Sequence, residues 1–173
     1  RFPDRFKVVG LTACGNWELL ASQVKAFQPK YAAIDQKFIT DLRSAVGKSK
    51  VKVLNAQQDL PFLASLAEVD IVILAVSGRI ALEPFLSAAK AGKQIAPANK
   101  EALVIAGDMI MSAARRSGAK VIPVDSEQSA IFQCLQGQNK VELEKIYLTA
   151  SGGALYNIPS SQFDALTFND ILK

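Results

Sequence analysis

The sequence has no histidine anywhere in its 173 residues, and only one tryptophan and two cysteines. Without imidazole it lacks the side chain that most readily exchanges protons near neutral pH. Acid–base or metal chemistry must therefore rest on carboxylates, lysines and hydroxyls. Cys14 and Cys134 have neither CxxC nor metal-ligand spacing, and nothing in their placement calls for an oxidising compartment. Cys134 falls in the apolar-periodic stretch "AIFQCL" and is expected to be a buried small hydrophobe. All apolar runs fall short of the roughly 20 residues that a membrane span requires, so no membrane partner is expected. The opening "RFPDRF" is charged and has no apolar core, so no secretory signal is expected; it does not start with methionine, and a missing N-terminal portion is expected. Charge is nearly balanced: 20 Lys and Arg against 16 Asp and Glu give a net +4 spread along the chain. The Lys-rich "GKSKVK" (47–52) is short and lacks interleaved aromatics, which reads as a solvated loop and not a nucleic-acid patch.

What is present is an alternation of strand and helix signals. Apolar, β-branched runs occur at 6–13, 31–35, 51–54, 70–78, 93–99, 119–125 and 143–153. Helical spacing occurs at 17–27, 36–46, 60–69, 81–92, 100–118 and 127–135. "DIVILAVSG" (70–78) is nearly all apolar, as expected of a strand buried on both faces. Gly92 and Gly118 stand where their helices should stop, the second after the basic pair Arg115 and Arg116. This order predicts an α/β fold: a doubly wound, mostly parallel Rossmann-like sheet with right-handed crossovers. The length suits one such domain followed by the start of a second α/β domain. We place the boundary between 1–124 and 125–173.

Ligands of open parallel sheets bind beyond the carboxyl ends of the strands. Those ends here read "ACGN" (13–16), "VSGR" (76–79), "ANKE" (98–101), "VDSE" (124–127) and "ASGG" (150–153). One polar strand end is ordinary turn chemistry; five on one rim look like a site. In "ACGN", Gly15 permits close backbone approach and Asn16 is placed to cap the next helix. The alternative role of this loop is contact with the ribose or 2′-phosphate of a dinucleotide. No acid stands in the loop, which favours NADP over NAD. A G-x-G-x-x-G fingerprint is absent. In "ANKE", a helix N-terminus beside Lys100 makes an anion or carbonyl site, or else Asn99 merely caps and Lys100 is solvated. In "VDSE", residues i and i+2 of an extended segment face the same way, so Asp125 and Glu127 can converge. Adjacent carboxylates repel unless a proton or cation intervenes, and oxygen-only ligation suits Mg²⁺ or Mn²⁺ over zinc. The competing reading is a helix N-cap. Ser151, beside Gly152 and Gly153, is either in a phosphate cradle or in a plain turn.

"FKVVGLTACGN", "ANKEALVIAG", "PVDSEQSAIFQCLQG" and "LTASGGA", in this order, resemble the 1-deoxy-D-xylulose 5-phosphate reductoisomerase family. The resemblance runs from about Arg1 to Gly153. It implies an NADPH- and divalent-metal-dependent enzyme that rearranges and reduces a phosphorylated pentulose to 2-C-methyl-D-erythritol 4-phosphate for isoprenoid synthesis. By position, it implies cofactor contacts at Cys14, Gly15, Asn16, Asn99 and Glu101. Substrate contacts are implied at Lys100, Ser126, Glu127 and Ser151, and metal ligands at Asp125 and Glu127. Lys100 and Glu127 are the implied catalytic residues. The family's homodimer, and a bacterial cytoplasm or plastid stroma, are implied with it.

Several family features have no counterpart here. The "GSTGSIG"-like loop, the "NKGLE"-like segment with a third metal ligand, the tryptophan flap and a substrate-side histidine are absent; Trp17 lies in the first helix. Gln128 follows "DSE" where the family commonly has histidine, and Leu155 stands where it often has an aromatic. The chain alone is therefore expected to be catalytically incomplete. A homoserine-dehydrogenase-like enzyme shares the Asn-Lys pair but does not account for "DSEQSAIFQ" followed by "SGGA". A non-catalytic dinucleotide-binding module is the alternative from outside enzymes.

Overall fold

A computed structural model describes residues 2–148 and 155–171. The chain divides into two compact units, Arg1–Phe132 and Gln133–Lys173. In the first unit, strands and helices alternate. Strand β1 (Gly10–Thr12) leads to helix α1 (Trp17–Phe27), β2 (Tyr31–Ile34) to α2 (Ile39–Val46), and β3 (Lys52–Asn55) to α3 (Ala56–Ser65). Then β4 (Ile71–Leu74) leads to α4 (Leu82–Lys90), β5 (Gln94–Pro97) to α5 (Glu101–Ser117), and β6 (Lys120–Val121) to α6 (Ser126–Cys134).

Every observed strand pair is parallel, as the alternation predicts. The pairs form two three-stranded sheets, in the orders β1-β2-β3 and β4-β5-β6. In the first, Ala32 of β2 stands between Leu11 of β1 and Val53 of β3. In the second, Ile95 of β5 stands between Val72 of β4 and Val121 of β6. Each central strand is the most buried of its sheet, with Ala32, Ala33, Ile34 and Ile95 at 0% exposure.

The apolar stripes of the helices close over these strands. Leu20 and Val24 of α1 and Ile39, Leu42 and Val46 of α2 pack with Ala32 and Ile34. Phe85, Ala88 and Ala89 of α4 and Ile110, Ala113 and Ala114 of α5 pack with Leu74 and Ile95. Helix α3 links the two halves. Its Leu60 and Leu63 pack with Ala33 of the first sheet, its Ala64 joins the core of the second, and it packs against α4.

The structure departs from the sequence reading in four places. Helix α3 starts at Ala56, well before the predicted 60, and carries Pro61 inside it. Asn55 accepts from the Gln57 N–H and Asp59 accepts from the Asn55 N–H, so the start is fixed by capping, and Pro61 is tolerated one turn later. Strand β4 is not buried on both faces: Ile71 and Ile73 are exposed. Among the described residues β4 pairs only with β5, so it is an edge strand with one bare face. Residues 143–148 are irregular where a strand is predicted, and 149–154 lie outside the described residues. Cys134 is exposed, not buried. Helix α6 buries none of its residues, because its apolar positions do not line up into one face. In the second unit, the described residues form 3-10 turns at Lys140–Glu142 and Ser160–Ala165 and one turn of helix, α7 (Phe168–Ile171). No helix among the described residues is long and apolar enough to cross a membrane.

Candidate functional site

Parallel pairing puts the carboxyl ends of the strands of each sheet on one rim. On the first rim, Cys14, Gly15 and Asn16 follow β1. The Asn16 side chain accepts from the Leu19 N–H at 3.0 Å and so caps α1. Its carboxamide nitrogen makes no hydrogen bond to any described residue. A Cβ at Gly15 would come within 3.2 Å of the Phe38 ring, so this position holds the loop close to the turn after β2. The Cys14 carbonyl accepts from the Asp35 N–H at 3.4 Å, and Cys14 itself is exposed. Asp35 accepts from the Lys37 N–H and from Gln57 Nε2, both at 3.1 Å.

The second rim has a different character. Asn99 is 5% exposed, and its Oδ1 accepts from the Ala102 N–H at 3.0 Å, capping α5. Its Nδ2 donates to the carbonyls of Val76 and Gly78. Lys100 and Glu101 are exposed beside it, Asp125 is half-buried, and Ser126 and Glu127 are exposed. The Asp125 carbonyl accepts from the Ser129 N–H at 2.8 Å, the opening bond of α6. The helix thus begins at Ser126, and Asp125 and Glu127 converge across a helix start, not along the extended segment predicted for them.

The electrostatics tie these groups together. The Ser126 hydroxyl donates to Glu127 Oε2 at 2.6 Å. That bond, foremost, holds the Glu127 carboxyl below the ordinary glutamate range; its own backbone N–H, the adjoining Asp125 side chain and the positive charge of Lys100 act in the same direction. Lys100 and Glu127 thus interact although α5 and β6 separate them along the chain. A cavity of about 230 Å³ opens here, lined by Val76, Ser77, Asn99, Lys100, Glu101 and Asp125, among others. A cavity of about 290 Å³ lies at the opposite ends of the same strands, between Asp70, Gly92, Lys93 and Lys120. There the Lys93 ammonium donates to the Leu66 carbonyl at 2.6 Å and closes the end of α3. Of the catalytic groups implied by the resemblance, Lys100 lines the first of these cavities, with Glu127 two residues from the Asp125 that also lines it, and neither lines the second.

An ionised Glu127 beside Asp125 supplies hard oxygen donors of the kind that hold Mg²⁺ or Mn²⁺. The fit is that of a half-site: no group of three His, Cys, Asp or Glu suited to a metal occurs among the described residues. Ser151 lies outside the described residues. Sequence reasoning missed the inward-facing bonds of Asn99 to the loop after β4. The signal available was only the helix-start position of the asparagine, which predicts its cap and not its second set of partners.

Comparison with known proteins decides the family. Residues 1–107 match the model of 1-deoxy-D-xylulose 5-phosphate reductoisomerase, and residues 121–173 match that of its C-terminal domain. The chain belongs to the 1-deoxy-D-xylulose 5-phosphate reductoisomerase family. A reductoisomerase of Thermodesulfovibrio yellowstonii is 43% identical over 100% of the chain, and one of Pelotomaculum thermopropionicum is 42% identical over 99%. Each match covers 45% of the relative, so the chain spans about half the length of the curated reductoisomerases it matches. Among solved reductoisomerases, a complex with NADPH, fosmidomycin and magnesium superposes with a TM-score of 0.81 at 31% identity, over 99% of the chain and 45% of that protein. The Zymomonas mobilis reductoisomerase in complex with NADPH gives 0.82 at 35% identity, over 95% and 43%. Both halves of the chain match one family, so a homoserine-dehydrogenase-like reading is not favoured.

Proposed function

We propose that this chain forms the cofactor-binding half and the first part of the catalytic half of an NADPH-dependent enzyme converting 1-deoxy-D-xylulose 5-phosphate to 2-C-methyl-D-erythritol 4-phosphate. The observation that carries the reading is that Lys100 and Asp125 line one cavity at the carboxyl ends of β5 and β6, while Glu127 interacts with Ser126, Asp125 and Lys100. Residues 1–124 hold the dinucleotide and residues 125–173 begin the catalytic domain.

Cys14, Gly15 and Asn16 meet the adenosine end of NADPH, with the unused carboxamide nitrogen of Asn16 available as a donor. Asn99 and Glu101 border the cofactor on the second rim. Asp125 and Glu127 hold Mg²⁺ or Mn²⁺, completed by water, substrate and donors from elsewhere. When bound, the ion polarises the substrate carbonyl and NADPH supplies the hydride. The protein's own groups do the rest. Lys100 places a positive charge over the anionic substrate, Ser126 keeps Glu127 ionised and oriented, and Ser151 binds the substrate phosphate. Among the described residues, β1 and β4 each pair on one side only, and Ile71 and Ile73 are exposed. A homodimer, in a bacterial cytoplasm or a plastid stroma, is part of this reading.

The test is Glu127→Gln in the full-length protein. Turnover of the pentulose phosphate is expected to fall about 10²-fold or more, with NADPH affinity little changed. Undiminished turnover would remove Glu127 from the mechanism. The 173-residue chain by itself is expected to show no NADPH oxidation with this substrate.

A further inference from the structure

Asn99 is almost completely buried, yet it lies between two exposed groups of the site, Ala98 and Lys100. Its carboxamide works in two directions. Toward its own helix, Oδ1 accepts from the Ala102 N–H at 3.0 Å. Away from it, both N–H groups of Nδ2 are directed at the loop after β4, to the Val76 carbonyl and to the Gly78 carbonyl at 3.3 Å. A carboxamide has two donors and one acceptor oxygen, so both donors are consumed inside the protein. Among the described residues, no other side-chain hydrogen bond joins the loop 75–79 to the start of α5.

That loop needs an external fastening. It has no regular structure between Leu74 and the 3-10 turn at Arg79–Ala81. Gly78 takes φ +76°, in the region that side chains disfavour, with open space where a Cβ would be. The loop's Val76 and Ser77 line the same cavity as Lys100 and Asp125. Among the described residues, Asn99 is therefore the side chain that hydrogen-bonds the two walls of this cavity together.

We propose that Asn99 is a positioning residue: a two-sided clamp that fixes the loop after β4 against the first turn of α5, and thereby the placement of Lys100 opposite Asp125 and Glu127. Its side chain does not hold the dinucleotide; any cofactor contact at this position comes from backbone. The clamp stands on the geometry alone, whereas its consequence for chemistry rests on the function proposed above.

Only asparagine meets both demands at this length. Aspartate keeps the oxygen that caps α5 but turns an anionic oxygen toward two carbonyls. Serine keeps a short cap and cannot reach the loop. Alanine loses both ends.

The experiment compares Asn99→Asp, Asn99→Ser and Asn99→Ala in the full-length protein. Amide hydrogen exchange is read without cofactor, together with NADPH affinity and the kcat and KM for the sugar phosphate. Asn99→Asp is expected to speed exchange at Ser77–Ala81 at least tenfold while the Ala102 amide stays protected. Asn99→Ala is expected to expose both, and kcat to fall more than NADPH affinity in each folded variant. If a variant does not fold, the others carry the same comparison. Unchanged loop exchange in cofactor-free Asn99→Asp and Asn99→Ser overturns the clamp. If NADPH affinity also collapses there, the side chain is a direct ligand. A wild type that neither binds NADPH nor turns over the sugar phosphate overturns the proposed function, and the exchange data then judge the clamp by themselves.

Discussion

After β1, β2 and β3, the polar side chains mainly cap their own turns, with one longer reach from Gln57 Nε2 to Asp35. Asn16, Asp35 and Asn55 each accept from a backbone N–H two or three residues on. After β5, Asn99 does the same, while Lys100, Asp125 and Glu127 are set against one another. The two sheets are built alike, from three parallel strands and the helices that follow them, yet one rim is occupied with stabilising its own helices and the other gathers charge. A capping residue has a reason to exist within one helical turn. Lys100 and Glu127 have none until a whole crossover brings them together, and that long-range convergence is what marks a site. The first rim keeps a narrower opening for function, the Gly15 approach and the free nitrogen of Asn16.

The strongest way to break this comparison is through the cores beneath the rims. Phe85→Ala and Leu42→Ala, both at 0% exposure, empty one core each. About 3–5 and 2–5 kcal/mol of destabilisation is expected in urea unfolding. Because α3 packs on both halves, each change is expected to lower the exchange protection of both sheets. Loss confined to the mutated sheet would mean that the two are separately cooperative.

The rims themselves give the next effect. Asn55→Ala removes the cap of α3 and is expected to cost about 1 kcal/mol. Lys100→Met and Glu127→Gln, on the second rim, are expected to lower the unfolding midpoint clearly less than that, since both groups are exposed. A stability loss at the charged rim comparable to that at the capped rim would erase the contrast.

The smallest expected effect is at the far side of the first sheet, where the Lys30 ammonium pairs with Glu68. The hydrogen bond and charge of Glu68 raise the Lys30 pKa above its ordinary 10.5. A raised lysine pKa stabilises the fold fully below the unfolded value, and the contribution disappears as pH climbs through the folded value. Lys30→Met is therefore expected to lower the midpoint slightly at neutral pH, less in high salt. It is expected to make no difference well above pH 10.5. A difference that grows in alkali would contradict the pairing.

Much of the fold was legible because buried strands and amphipathic helices follow simple periods. The alternation through 6–135 gave parallel pairing and helix order, and Gly118 ended α5 with φ +76° as its position suggested. What was not legible depended on partners distant in sequence. The apolar string of β4 promised two covered faces, but Ile71 and Ile73 find no cover among the described residues. Cys134 sat in an apolar rhythm, but α6 has no core face to receive it. The early start of α3 was written in Asn55 and Asp59, outweighed in the reading by Pro61. At the site, the pairing of Asp125 with Glu127 was legible from spacing, though by the wrong local geometry. The clamp of Asn99 was not, because its carbonyl partners carry no side-chain signature.

The central claim is that Asp125 and Glu127 form a cation half-site and not a helix cap. Titration of the chain with Mn²⁺, followed by paramagnetic relaxation, tests it most directly, with wild type set against the Asp125→Ala, Glu127→Ala double variant. Weak binding in the wild type that disappears in the double variant is the predicted result. Equal relaxation in the two would contradict the claim.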